Sequence, residues 1–253
     1  MRSAATNFLG LTTLALTAFA SACATGGGVR PAPDVRATSF ERPRPYPVYV
    51  TRAFESAVAS GTRTRTGRPG PRYWQQHASY RLEAVLDPAT ARLEGRGTIR
   101  YLNNSPDTLS TVYLHLRNNL FGPTALRNEL VPVVGGVDLH RVAVNGRVLT
   151  PIASGGRGPG YEIASTILGV TLERPLLPND SIGMELEWAL AVPPDGAPRG
   201  GTDGEVYFVS YWYPQMAVYD DVEGWQTDPY MSNAEFYMGF ADYDVAITVP
   251  AGW

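Results

Sequence analysis

The sequence predicts an all-β fold, a sandwich-like or open curved antiparallel β domain, placed after an export signal and a disordered linker. Three observations carry this. From Tyr73 onward apolar and polar residues alternate with period two, in one run after another. Turn chemistry separates the runs, and no helical stripe of ten or more residues competes.

The first run sets Ala78, Tyr80, Leu82, Ala84 and Leu86 against Ser79, Arg81 and Glu83, which is the pattern of a half-buried strand. Asp87-Pro88-Ala89-Thr90 is a turn. Residues 91–102 return as a second strand, with Leu93, Gly95, Gly97, Ile99 and Tyr101 on one parity and Arg92, Glu94, Arg96, Thr98 and Arg100 on the other. The two form an expected hairpin. Asn103-Asn104-Ser105-Pro106-Asp107 turns the chain into a third strand over 109–116. Residues 137–144 and 147–152 flank Asn145-Gly146, the dipeptide favoured in a type I′ hairpin turn. Further strands are expected over 167–172, 180–192, 206–212 and 243–249.

The segment before Tyr73 differs. Arg2, the apolar run from Phe8 to Phe19, and Ala20-Ser21-Ala22-Cys23 read as a secretory signal over residues 1–22, too short to cross a bilayer as a stop-transfer helix. Either ordinary signal peptidase or the lipoprotein pathway would cut before Cys23. Cys23 is the only cysteine, so no intramolecular disulfide forms, and lipidation would remove a reactive terminal thiol. The expectation is a periplasmic or cell-surface lipoprotein held to the membrane by its lipid anchor. Residues 23–72 are rich in Gly, Pro and Arg and read as a flexible tether, spanning roughly 40 Å as a coil of about 48 residues. Thr51 to Ser60 could add one or two helical turns. The folded domain is then 73–253.

Composition excludes some partners. The formal charge is −3, every basic residue is arginine, and no basic excess favours nucleic acid. No His-Glu-x-x-His, Cys-x-x-Cys, phosphate loop or Gly-x-Ser-x-Gly occurs, so no catalytic residue and no metal ligand is assigned. His77, His115 and His140 are widely spaced and read as structural or surface histidines. Asp220, Asp221, Asp242 and Asp244 could offer oxygens to calcium but lack the alternating spacing of a calcium loop, and turn capping is the default. The dense aromatic stretch from Tyr207 to Tyr243 builds a core, an interface or a ligand groove; composition does not choose.

Two groups of residues carry a resemblance. One is Tyr73 to Tyr80, Leu86-Asp87-Pro88, Leu93-Glu94-Gly95, Tyr101 to Leu109 and Val112 to Asn119. The other is Trp212 to Asp221, Gly224-Trp225, Asp228-Pro229-Tyr230, Glu235-Phe236-Tyr237 and Asp242 to Pro250. In order and spacing they resemble the opening of bacterial aminopeptidase N-like zinc metallopeptidases, gluzincins. The resemblance covers 73–253 and implies the saddle-shaped N-terminal β domain that precedes a thermolysin-like catalytic domain. It also implies that zinc, bound by a His-Glu-x-x-His…Glu site, belongs to a downstream part of the parent protein. This chain, read as a fragment, is expected to be inactive alone. Its implied partners are the C-terminal catalytic domain of the same polypeptide and a peptide substrate. In the family the β domain supplies a side chain that holds the substrate's α-amine. Glu205 or Gln215 could be that residue here. Two other readings stand beside this one. The first is a stand-alone binding module, for polysaccharide or protein, on a surface lipoprotein. The second is a catalytically dead homologue.

Overall fold

Period-two alternation in sequence becomes period-two burial in space. The computed structural model describes residues 46, 49–153, 156–233 and 236–253. The chain divides into two units, Met1–Val48 and Tyr49–Trp253. The first lies almost wholly outside the described residues, as do the expected signal segment, Cys23 and most of the expected tether. No helix among the described residues is long and apolar enough to cross a membrane.

The second unit begins with helix α1 (Arg52–Ser60). The Thr51 hydroxyl accepts from the Phe54 N–H at 3.2 Å, and Gly61 closes the helix in the left-handed region (φ 82°). Residues 61–72 then fold back on themselves, with Gly70 N–H on the Thr62 carbonyl and Arg72 N–H on the Gly61 carbonyl. The composition of this stretch predicts a tether through residue 72, yet residues 51–72 are built into the unit. The capped helix and a charged anchor, Arg63 on Asp221 at 2.7 Å, do what apolar burial could not.

Strands β1 (His77–Asp87) and β2 (Arg92–Leu102) form the expected hairpin, with Leu82 opposite Gly97. Strand β3 (Leu109–His115) leads into a 3-10 helix over Arg117–Phe121. Strands β4 (Val137–Val144) and β5 (Arg147–Val148) turn at Asn145-Gly146, both at positive φ as a type I′ turn requires. Strands β6 (Gly160–Ala164), β7 (Ile167–Leu176) and β8 (Ser181–Ala191) follow. Then come the short pieces β9 (Gly200–Thr202), β10 (Tyr207–Val209), β11 (Gln215–Met216), β12 (Tyr219–Asp220) and β13 (Gly224–Trp225). Strand β14 (Ala241–Thr248) is the last.

A six-stranded sheet runs β14-β1-β2-β8-β4-β5, and a four-stranded sheet runs β11-β3-β7-β6. One apolar core joins them: Tyr80, Leu82, Ile99 and Leu186 from the first sheet meet Val112, Leu114, Leu168 and Val170 from the second. Among the described residues the pairings between named strands are antiparallel with one exception, since β14 runs parallel to β1. The fold is therefore all-β and sandwich-like, as the alternation predicts. Strand β6 carries only one buried residue, Gly160, which is why no alternation announced it. The run expected over 206–212 keeps strand geometry only at Tyr207–Val209, because Tyr211 adopts positive φ and breaks the ladder.

Trp188 on β8 lies directly across from Gly95 on β2. A methyl group at Gly95 would come within 2.4 Å of the indole, so glycine there is the space the ring occupies. Gly95→Ala is expected to lower stability by about 1–3 kcal/mol through overpacking, measured by urea unfolding. Gly183→Ala on β8, where the nearest atom is 3.8 Å away, is the control and should stay within about 0.5 kcal/mol of wild type.

Candidate functional site

The best-formed cavity lies where the lead-in to β1 meets the β11–β12 segment. It has a volume of about 410 Å³ and is walled by Trp74, Tyr101, Tyr219, Tyr237 and Phe240, with Gln76, Gln215 and Asp220 among its polar groups. Each wall has a cause. Trp74 stacks on Tyr219 with ring centres 5.6 Å apart, and the Tyr219 hydroxyl donates to Asp107 at 2.9 Å. Burial, then the Asp107 carboxylate, pushes the Tyr219 phenol up to about 12. Gln76 is fixed at both ends: its amide donates to Asn103 at 2.9 Å, and its carbonyl accepts the Asn104 N–H at 2.6 Å. Among the described residues the buried Tyr101 hydroxyl has no hydrogen-bond partner. Asp220 caps its own turn, accepting from Val222 and Glu223 N–H at 3.0 and 2.8 Å. Rings with a few fixed amides and carboxylates suit binding. The walls named here place no nucleophile against a base.

The expected site residues separate. Glu205 is exposed on a turn held by Asp203, which accepts the N–H groups of Glu205 and Val206 at 2.9 Å. Gln215 is buried on β11 and borders the cavity. Arg117 donates to the Gln215 side-chain carbonyl. A guanidinium only donates, so the Gln215 oxygen is committed to Arg117 and the amide N–H₂ is what remains for another group. A free α-ammonium would meet an occupied carbonyl and a neighbouring positive charge there. Glu205 is exposed, and among the described residues no hydrogen bond engages its carboxylate.

The histidines do not converge. His77 starts β1 beside Asp242 at 3.1 Å, His140 on β4 approaches Asp138 at 3.3 Å, and His115 ends β3, buried. The four aspartates disperse as well, since Asp221 holds Arg63 and Asp244 pairs with Arg81 at 3.1 Å. Among the described residues no three His, Cys, Asp or Glu side chains could hold a metal ion. The zinc that the resemblance implies finds no ligand set in these residues. The aromatic rings do not form a planar exposed row. Trp212 and Trp225 pack against the core, the Trp188 indole N–H donates to the Trp212 carbonyl at 2.7 Å, and Trp212 meets Tyr213 at 70°.

Sequence reasoning passed over Arg117. Its parity is that of Thr111, Tyr113 and His115, the more polar side of β3, so the alternation gave no sign of its burial.

No protein-family profile matches the chain. No curated protein matches it in sequence. Solved structures do match. A mutant M1 zinc metallopeptidase from Deinococcus radiodurans is 18% identical, over 73% of this chain and 34% of that one, with a TM-score of 0.41. The same mutant bound to a Tyr-Ser-Ala substrate is 18% identical, over 70% and 33%, with a TM-score of 0.41. Legionella pneumophila aminopeptidase A in complex with aspartic acid is 13% identical, over 47% and 11%, with a TM-score of 0.31. This chain spans about a third of the length of the Deinococcus enzyme.

The Arg63–Asp221 pair gives a pH test. Burial pushes the Asp221 carboxyl up, but the Arg63 hydrogen bonds and charge, helped by Thr62, outweigh it and hold the group below the usual carboxylate range. A depressed carboxyl stabilises the fold above its unfolded pKa, about 3.9, and loses that contribution as pH falls through the lower folded value. Asp221→Asn should cost about 1.5–3 kcal/mol at pH 7, the range for hydrogen bonds to charged groups. Urea unfolding should show the same gap to wild type at pH 5, shrinking below about pH 4. A gap that persisted at pH 2 would show that the charge is not what anchors the segment.

Proposed function

We propose that this chain is the non-catalytic N-terminal β domain of an exported, zinc-dependent aminopeptidase-like metallopeptidase that hydrolyses peptide bonds. The observation that carries the reading is an uncovered apolar row. On β14, Tyr243, Val245 and Ile247 sit in register with Tyr80, Leu82 and Ala84 of β1, which are core residues. The row therefore continues the core face of the large sheet, yet its members are 45%, 46% and 57% exposed, and Phe240 beside it is 96% exposed. A contiguous apolar strip of this kind marks a surface that another protein mass covers. The row lies in the second of the two sequence groups that resemble the peptidases, Asp242 to Pro250, and the cavity is lined from both groups, by Trp74, Gln76 and Tyr101 of the first and Gln215 to Asp221 of the second. The proposed cover is the catalytic domain of the same polypeptide, which would bring the zinc. This chain would help hold the peptide substrate, with Glu205 the better placed of the two amine-binding candidates.

The test compares two lengths. The 253-residue chain with added zinc should release no amine from aminoacyl p-nitroanilides, while a polypeptide extended through the downstream reading frame should, and a chelator should abolish it. Zinc-dependent turnover by the shorter chain would overturn the reading. In the extended polypeptide Val245→Asp should cost about 1.5–3 kcal/mol, the worth of a buried valine. In the shorter chain the same change should cost under about 1 kcal/mol, the span of strand propensity.

We propose further that Cys23 carries a diacylglycerol thioether that holds the exported protein to a membrane. The support is the order Arg2, apolar Phe8 to Phe19, then Ala20-Ser21-Ala22-Cys23. Metabolic labelling with a fatty-acid analogue should mark the protein and fail in Cys23→Ser. Labelling that survives the substitution would refute the anchor.

A further inference from the structure

Arg117 is 3% exposed and follows β3 at the start of the 3-10 helix. Its guanidinium lies 5.0 Å from the centre of the Tyr211 ring and 4.9 Å from that of Phe236. Among the described residues it has no acidic partner, and its one hydrogen bond goes to Gln215. A guanidinium carries five N–H donors, so most of its capacity is unused. A buried cation without a counter-charge is costly, and two aromatic faces offset only part of that cost.

The same place holds two further unmatched groups. Among the described residues His115 Nδ1 and the Tyr230 hydroxyl, in residues 7% and 6% exposed, are buried with no hydrogen bond of good geometry, although Arg199 lies against the Tyr230 hydroxyl. His115, Arg117, Gln226 and Tyr230 line one cavity of about 130 Å³, and Asp228 and Tyr237 are the exposed residues of its lining. That volume holds about four water-sized groups, at about 30 Å³ each. The Arg199 guanidinium lies 5.3 Å from the centre of the Phe236 ring and adds positive field. Burial, then the Arg117 charge, pushes His115 down to about 4, so the imidazole is neutral near pH 7 and can donate from Nδ1 in the matching tautomer.

We propose that this cavity binds a carboxylate group, held by the Arg117 fork with Tyr230 and His115 donating to the same two oxygens. A planar monoanion matches the fork geometry and balances the single buried charge. A doubly charged phosphate would leave negative charge uncompensated. Asp228 is exposed in the lining and works against binding. The carboxylate can come from a small acid, a chain terminus or an acidic side chain. The site is independent of the peptidase reading.

Thermal unfolding of the whole chain at constant ionic strength tests this, with sodium chloride as the reference. Sodium acetate, N-acetylglycine (a chain terminus) and N-acetylaspartate amide (a side chain) should each raise the midpoint saturably, as ligands of the native state do. The tighter of the last two identifies the source. Arg117→Gln should abolish the rise, and Asp228→Asn should tighten acetate several-fold even if Arg117→Gln does not fold. The proposal fails if neither wild type nor Asp228→Asn responds saturably, or if inorganic phosphate outcompetes acetate. It fails too if a folded Arg117→Gln binds as wild type does. It also fails if acetate binds only after Glu235→Gln, which removes the carboxylate next to Phe236 in sequence and would mean that the chain fills its own cavity.

Discussion

Tyr80 holds the two sheets and the edge strand in one arrangement. It sits mid-strand on β1 in the large sheet, 4% exposed. Its hydroxyl accepts the Met216 N–H at 3.0 Å, which ties it to β11 in the small sheet. Its ring stacks on Tyr243 of β14 at 4.8 Å and 6°, and meets Tyr213 edge-on at 5.7 Å. One side chain thus satisfies a backbone donor on one sheet and seats the edge strand of the other. Burial raises its phenol far above the ordinary range, so it stays a neutral partner at any pH the protein meets. The parallel β1–β14 pairing lacks a tight turn of its own, since parallel strands need a crossover. The Tyr80–Tyr243 stack supplies the registry that a hairpin would otherwise give.

A second constraint works at the far corner. Asn103 is fully buried and donates to the carbonyls of Asp107, Leu176 and Leu177, while its own carbonyl accepts from Gln76 and Ser105. It closes the β2–β3 turn onto the end of β7 and fixes Gln76 at the cavity wall. Buried polar networks of this kind are stable only when every member is satisfied. Among the described residues the Tyr101 and Tyr230 hydroxyls and His115 Nδ1, without a hydrogen bond of good geometry, stand out against that standard, and all three border cavities.

Where one face of a strand was buried and the other wet, the fold was legible in the sequence. The β1–β2 hairpin, β3, β4, β8 and β14 follow from alternation within a residue or two. β6 and the short strands β11, β12 and β13 were not legible, because their own residues carry no alternation, whereas β5 was announced by Asn145-Gly146 but stops at Val148 rather than Ile152. The ordering of residues 51–72 was hidden as well. Besides its own caps and turns this segment is tied to the domain by the Arg63–Asp221 ion pair, whose members are 158 residues apart, and composition carries no trace of such a pair. The candidate site was half legible. The aromatic density around Tyr219 pointed to the right region, whereas Arg117 is recognised only once tertiary packing shows it buried beside aromatic rings without an acid.

The edge strand shows what kind of surface this sequence was built to keep. On one parity of β14, Asp242 and Asp244 face solvent and pair with His77 and Arg81. Exposed pairs like these contribute about 0–1 kcal/mol each, so their presence speaks to solubility on that face more than to stability. On the other parity every residue is apolar, and Tyr243, Val245 and Ile247 lie level with core residues of β1. A free edge strand is ordinarily blunted by charge, proline or a bulge on whichever face is open. Here the charge stands on one face only. The asymmetry is intelligible if the apolar face is covered in the working protein, and the alternation of β14 is then the sequence record of two solvents, water on one side and protein on the other.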